Sequence, residues 1–489
     1  MPHLLVSLCC LFATLGSFLF GYDSGVISST IEQSAFLHHF NHPSDSLIGG
    51  IVSSYNGGAI LGSLGVSYLS DPLGRRPVMF IGGILATLGG ALQAGATTVA
   101  MLIAGRIITG LAVGVLTSTI PVYCSEVSPP RIRGILASMQ QWMDGLGIVV
   151  AQWVGYGCSL HAGPFTWRFP LALQVVPPII LCSGVLFLPE SPRWLIEKGR
   201  PDAGRRVLAR LHLNHSRTNV ALIDSEFAEI TASVAEEQRC AVRSWSQLLF
   251  TQPDWRRRVL LACGIQAFTQ CSGTNIIRNY NPGLYRKLGL HGSTPLMIQG
   301  IWGALAQFWN TVFMVFIDRV GRRTLLLPSL LGMGATMCIE GALGQTYDDF
   351  SDVADVNAAA VRAAIALFFV FSIFFTSLGL ISWVYQTEIF STAIRARGAS
   401  LATATNWSLN LVFAQCTPIA RSNIGFNYFY CFAAFNWAAA ILVWFFYPET
   451  AGKSLEEVDR VFAAQAPSVD GTMDEDGGGG LGVPHSKSV

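Results

Sequence analysis

Apolar residues run along this chain in blocks of about 20, interrupted by short polar punctuation, instead of the helix or strand alternation of a water-soluble fold. The blocks fall at about 4–26, 47–69, 78–97, 99–123, 135–158, 169–188, 258–280, 296–317, 324–344, 362–386, 399–420 and 425–447. A hydrocarbon layer of ~30 Å takes about 20 helical residues to cross, so each block predicts a membrane-spanning helix, here span 1 to span 12. The pattern predicts an all-α membrane protein with twelve transmembrane helices in two six-helix bundles. Its expected divisions are an N-terminal bundle (1–188), a cytoplasmic helical linker domain (189–257), a C-terminal bundle (258–447) and a cytoplasmic tail (448–489).

In the linker, apolar and charged residues alternate at helical spacing in "PDAGRRVLARLHL" (Pro201 to Leu213) and "DSEFAEITASVAEEQ" (Asp224 to Gln238), which predicts two short amphipathic helices. Pro201 suits a helix start because its fixed φ and missing N–H cost nothing there. The tail ends in "TMDEDGGGGLGVPHSKSV", too polar and glycine-rich to bury a core, and is expected to be disordered.

Composition agrees with a lipid solvent. Of 489 residues 51% are hydrophobic and 12% charged, against about a quarter charged in soluble domains. A net charge of +1 gives no reason to expect nucleic acid or an acidic partner. Eleven cysteines, among them Cys9, Cys10, Cys182, Cys263, Cys338 and Cys431, lack metal-ligand or paired spacing and read as small buried hydrophobes. No phosphate-binding loop, metal cluster or nucleophile constellation is present, so no metal, cofactor or catalytic residue is expected and the chain is not read as an enzyme. The first apolar run lacks a basic leader and a clear cleavage site, and reads as a retained anchor.

Lysine and arginine collect on one side of the predicted bundle, with 24 of 31 in the 71–77, 125–134, 189–258, 318–323 and 387–398 segments and the tail. Positive loops stay in the cytoplasm, so both termini are expected there. The sequon Asn214-His215-Ser216 falls on that side and is expected to carry no glycan.

Three motifs occur twice. "YLSDPLGRRPVMF" (Tyr68 to Phe80) returns as "FIDRVGRRTLLL" (Phe316 to Leu327), "SEVSPPRIRG" (Ser125 to Gly134) as "TEIFSTAIRARG" (Thr387 to Gly398), and "PESPRW" as "PETAGKS". The offsets are 247, 262 and 259 residues, so the chain is an internal duplication. Paired halves are the usual construction of a secondary transporter, with cargo near the midplane between them. The charged turns are then a candidate cytoplasmic gate: Asp71, Arg75, Glu126, Arg133, Glu190, Arg193, Asp318, Arg322, Glu388, Arg395 and Glu449. Topology alone needs the arginines but not acids at fixed spacing.

These motifs, with "GYDSGVIS", "GRIITGLAVG", "DRVGRR" and "PETAGKSLEEVD", resemble the sugar porter family of the major facilitator superfamily, in its eukaryotic microbial branch, from Phe20 to Asp459. The resemblance implies the major facilitator fold, with two pseudo-symmetric bundles, and transport of a monosaccharide or related polyol or sugar acid, with proton symport. It further implies a multi-pass plasma-membrane protein acting as a monomer, whose partners are a small polar solute, protons and the bilayer. A carrier or exporter of a non-sugar metabolite, or a non-transporting sugar sensor, are the other readings the scaffold allows. The short tail argues against the sensor.

Ionisable groups at membrane depth cost about 2.5–3.5 kcal/mol on insertion scales and are functional candidates by default. Asp23 in "FGYDSG" stands where family members that couple to protons have aspartate, and Arg106 on span 4 matches a family arginine that modulates it. Asp144 shares one face of span 5 with Gln140, Gln141 and Gln152. The family generally has an apolar or hydroxyl residue there. Asp144 is either a substrate or proton site, or a protonated acid bonding a neighbouring helix. Glu340, near the end of span 9, is expected to snorkel to water.

By resemblance, Gln141, Gln270, Asn275, Trp383 and Asn406 match sugar-contacting positions. Gly273 and Asn275 are expected to break span 7, with Tyr280 as part of a lid. Several positions depart from the family: Thr269 stands for a glutamine, Asn279 for a tyrosine, Ala306 for an asparagine and Leu380 for a proline, and Arg278 adds a charge beside the lid. Such a site suits an acidic or larger polar molecule. The glycine pairs Gly58/Gly62 and Gly110/Gly114 read as close helix packing.

Overall fold

The computed structural model describes residues 4–129, 133–212, 220–240, 253–287, 289–346, 358–390, 394–450 and 462. The sequon and nearly all of the tail lie outside the described residues. Every described regular element is helical. The helical stretches follow the predicted spans: Leu4–Ala13 with Leu15–Thr30, Asp45–Leu73, Arg75–Ala94, Val99–Val127, Arg133–Ser159 and Phe165–Leu173 with Val176–Val185 in the first half. The second half has Pro253–Cys271 with Thr274–Lys287, Thr294–Val320, Arg322–Thr346, Ala358–Glu388, Arg395–Ile424 and Tyr428–Phe446. In the linker, helices run over Pro201–His212 and Val220–Cys240, after a short Pro192–Glu197 helix.

By length and composition, eight stretches among the described residues can each cross a membrane, the last running through spans 11 and 12. Spans 5, 7 and 8, which carry Gln141, Asp144, Gln270, Asn275, Arg278, Gln307 and Asn310, are not among these eight. Large apolar side chains elsewhere face outward, Phe187 at 83% and Phe445 at 73% exposure. An apolar exterior of this extent requires a lipid solvent.

The glycine pairs explain how tightly spans 2 and 4 meet. A Cβ on Gly110 would collide with the Tyr55 carbonyl, one on Gly58 with the Ile107 carbonyl, and Gly62 and Gly114 face Leu111 and Ala59 backbone in the same way. Backbone therefore packs on backbone. Two sequence expectations are corrected by burial. Glu340 is 2% exposed, beside Thr336, Met337 and Phe371, because it sits on the face of span 9 turned into the bundle. Cys416 and Cys431 are exposed on the outer flank instead of buried, since a lipid-facing position accepts a small apolar thiol equally well.

The end of the bundle bearing the two Asp-x-x-Gly-Arg-Arg turns is called the turn face here, and its opposite the far face. Each turn is built the same way. Gly74 (φ +92°) and Gly321 (φ +93°) adopt a conformation that L side chains rarely reach, and this ends one span and starts the next within a single residue. The carboxylate of Glu190 accepts from the N–H groups of Arg75 (3.1 Å) and Arg76, and that of Glu449 from those of Arg322 (2.8 Å) and Arg323 (2.9 Å). Each acid thus satisfies the unpaired first N–H groups of a helix and meets the positive end of its dipole. The duplication seen in the motifs is repeated atom for atom.

Candidate functional site

Span 7 is interrupted between Cys271 and Thr274, with Gly273 at φ +92°. Its two parts lie beside a cavity of about 130 Å³ at the junction of the halves. Gln141, Asp144, Gln270, Asn275, Trp383 and Asn406 all line it, as do Arg278, Thr269, Ala306 and Leu380. Phe20, Trp302, Phe375 and Trp407 supply further aromatic faces. The amides are held in place by one another. Asn275 Nδ2 donates to Gln270 Oε1 at 2.9 Å, and Asn406 Nδ2 to Gln266 Oε1 at 2.7 Å; Gln266 Nε2 in turn donates to Gln386 Oε1 at 2.8 Å. Such a wall can exchange hydrogen bonds with several hydroxyls while stacking apolar ring faces, which is what a polyhydroxylated solute leaving water demands.

Sequence reasoning missed Gln307, Asn310 and Asn410, which also line the cavity. Gln307 and Asn310 lie one helical turn apart next to Ala306, so polar groups remain beside the position that lost its amide. Two amides at that spacing inside an apolar run were the available signal.

Tyr280 is not a lining residue: it is buried and donates from its hydroxyl to the Ala414 carbonyl at 2.8 Å, which ties the far half of span 7 to span 11. Asp23 is likewise buried off the cavity, with no hydrogen-bond partner for either carboxylate oxygen among the described residues. No ion pair joins it to Arg106, whose guanidinium lies 5.1 Å from the centre of the Tyr55 ring. Asp144 and Arg278, singled out separately as departures, come together across the two halves at 3.9 Å.

At the turn face the described ion pairs stay within each half. Arg75 grips Glu126 at 2.9 Å and Arg322 grips Glu388 at 2.8 Å. Thr450 Oγ1 donates to the other Glu388 oxygen at 2.7 Å. Arg193 donates to Ser233 of the linker at 3.4 Å, while the Asp71 carbonyl accepts from Trp194 Nε1 at 2.9 Å. Burial raises the Glu190 carboxyl above the ordinary carboxylate range, although three backbone N–H groups and Arg75 pull it down. The side chains of Arg133, Asp318 and Arg395 lie outside the described residues.

Between the halves, described polar ties run from the cavity to the far face. They include Asn56 to Asn410 (3.1 Å), Ser53 to Gln415 (2.8 Å), Gln307 to the Trp142 carbonyl (3.0 Å) and Arg286 to Glu32 (2.9 Å). These contacts tie the two halves together on the far-face side.

A paired-bundle helical fold around a central polar cavity defines the class of multi-pass membrane carriers, and comparison with known proteins agrees. Residues 9–462 match the family described as "Sugar (and other) transporter". The chain is 37% identical to the MFS-type transporter criB of Aspergillus cristatus, over 94% of this chain and 93% of the relative. It is 32% identical to a high-affinity glucose transporter of Kluyveromyces lactis, over 93% and 85% respectively. Among solved structures, the proton:xylose symporter XylE bound to 6-bromo-6-deoxy-D-glucose superposes with a TM-score of 0.78 at 25% identity, covering 94% of this chain and all of that one. The chain belongs to the sugar porter family of the major facilitator superfamily and is an integral membrane transporter, not an enzyme.

Proposed function

We propose that the protein is a secondary carrier that moves a monosaccharide or a related polyol or sugar acid across the plasma membrane by alternating access, in symport with a proton. The observation that carries this reading is the cavity at the junction of the duplicated halves, walled by mutually braced amides and aromatic faces. The names of the Kluyveromyces relative and of XylE, a glucose transporter and a proton:xylose symporter, support the sugar and the proton. The turn face holds the arginine-rich segments and is assigned to the cytoplasm, with both termini. Asp23 is the assigned proton carrier: a buried carboxylate without a hydrogen-bond partner is costly to keep charged, and the positive charge of Arg106 acts on it.

Counterflow in proteoliposomes tests the reading, because exchange needs no assumption about driving force. A preloaded panel of monosaccharides, polyols and sugar acids should accelerate entry of at least one labelled member. Lack of exchange by every member, from correctly folded protein, would overturn it.

A further inference from the structure

Asp144 of span 5 and Arg278 of span 7 belong to different halves, and both face the cavity. Their closest approach, 3.9 Å between Asp144 Oδ1 and Arg278 Nη2, is too long for a hydrogen bond. Arg278 Nε and Nη2 and Asp144 Oδ1 are buried with no hydrogen-bond partner among the described residues. The guanidinium is otherwise steadied over the Phe20 ring, at 5.6 Å, and the second Asp144 oxygen accepts from Gln141 Nε2 at 3.4 Å. A guanidinium with open donors in a cavity is a ready fork for a carboxylate.

We infer that Asp144 and Arg278 form an acid-recognition subsite: the carboxylate of a polyhydroxylated monoacid, such as a uronic acid, replaces Asp144 on Arg278 while Asp144 takes up a proton. This rests on the carrier reading above and names the substrate class of the same cavity. Charge balances at every stage. The empty site holds one guanidinium and one carboxylate, and the loaded site one guanidinium, the ligand's carboxylate and a neutral Asp144, so one anion and one proton enter together. The groups facing Asp144 permit that exchange. Span 7 presents Arg278, span 8 the uncharged Gln307 and Asn310, and span 1 Phe20 and the Gly21 backbone; Tyr22 and Asp23 of span 1 and Arg106 of span 4 do not line the cavity.

The test compares D-glucuronate with D-glucose, which differ only at the sixth carbon, as competitors in counterflow and as ligands in equilibrium binding. The wild type should prefer glucuronate at least tenfold, and its affinity for it should rise by up to about tenfold per unit fall in pH, the limit for one coupled proton. Asp144→Asn should flatten that slope and still bind glucuronate at high pH, because no proton is then required. Arg278→Gln should erase the preference, and Arg278→Lys should restore part of it, with thermal melts confirming that each variant is folded. Exchange of glucose with rejection of glucuronate, a preference that survives Arg278→Gln, or a pH slope that survives Asp144→Asn would overturn the subsite and leave the carrier standing. Exchange of neither sugar nor acid would overturn both.

Discussion

Arg286 reaches from the far half of span 7 to Glu32 at the end of span 1, pairing with its carboxylate at 2.9 Å and donating to its backbone carbonyl at 2.6 Å. Gly283 leaves room for this contact, since a Cβ there would meet both Glu32 and Arg421. The two residues lie in different halves, so the pair closes only when the far face closes. Replacing Arg286 by Gln leaves the Glu32 carboxylate without that cation and should favour opening of that face by a few-fold, on the scale of about 1 kcal/mol for a partly exposed charged pair. Faster hydrogen exchange in the 25–40 segment would report it, and unchanged exchange would show the clasp to be passive.

Acidification acts on the same clasp with a definite sign. Burial lifts the Glu32 carboxyl above the ordinary range even though Arg286 and Arg421 pull it down. An open far face would return Glu32 to water and to its ordinary range. The closed form therefore binds the proton more tightly. Lowering pH through the window between the ordinary and the raised values should favour closure, and raising it should release closure. In Glu32→Gln the difference in exchange between those pH values, corrected for intrinsic rates, should vanish.

If Asp23 carries the coupled proton, Asp23→Asn should abolish concentrative uptake of a neutral sugar and its dependence on external acidity while leaving exchange intact. In the unmodified protein, uptake should rise as external pH falls and collapse with a protonophore. Uptake indifferent to a protonophore would assign facilitation instead.

Asn275 lines the cavity and also braces Gln270. Asn275→Ala removes one hydrogen-bonding group and frees another, so cargo should bind roughly tenfold more weakly, for a loss of about 1–2 kcal/mol. Surface expression should persist. Unaltered affinity would take Asn275 out of the site.

The fold was legible because lipid leaves few alternatives: backbone at that depth must satisfy its own hydrogen bonds, so a block of apolar residues of sufficient length becomes a helix. The duplicated motifs likewise marked both glutamates that start spans 3 and 9. The gap lay in which faces meet. Glu340 was misplaced because its distance from the helix end was considered without the direction of its face. Asp144 and Arg278 each stood out, but their meeting depends on how span 7 breaks and leans across the seam. The Glu32 to Arg286 clasp gave no local signal at all, since each looks like an ordinary charge at a helix end.

The glycine seam between spans 2 and 4 links packing to the proton site. Gly110 lets the Tyr55 carbonyl approach where a Cβ would otherwise sit, and the ring of the same Tyr55 lies against Arg106, one turn earlier on span 4. Gly110→Ala cannot fit without moving the two helices apart, and overpacking of this kind costs about 1–3 kcal/mol. Thermal stability in detergent should fall accordingly. Because the displaced residue is the one that backs Arg106, the pH profile of uptake should shift in the same variant. Gly65→Ala, where nothing lies within 4 Å of the added Cβ, should change neither. A stability loss in Gly110→Ala without any change in the pH profile would separate the seam from proton handling.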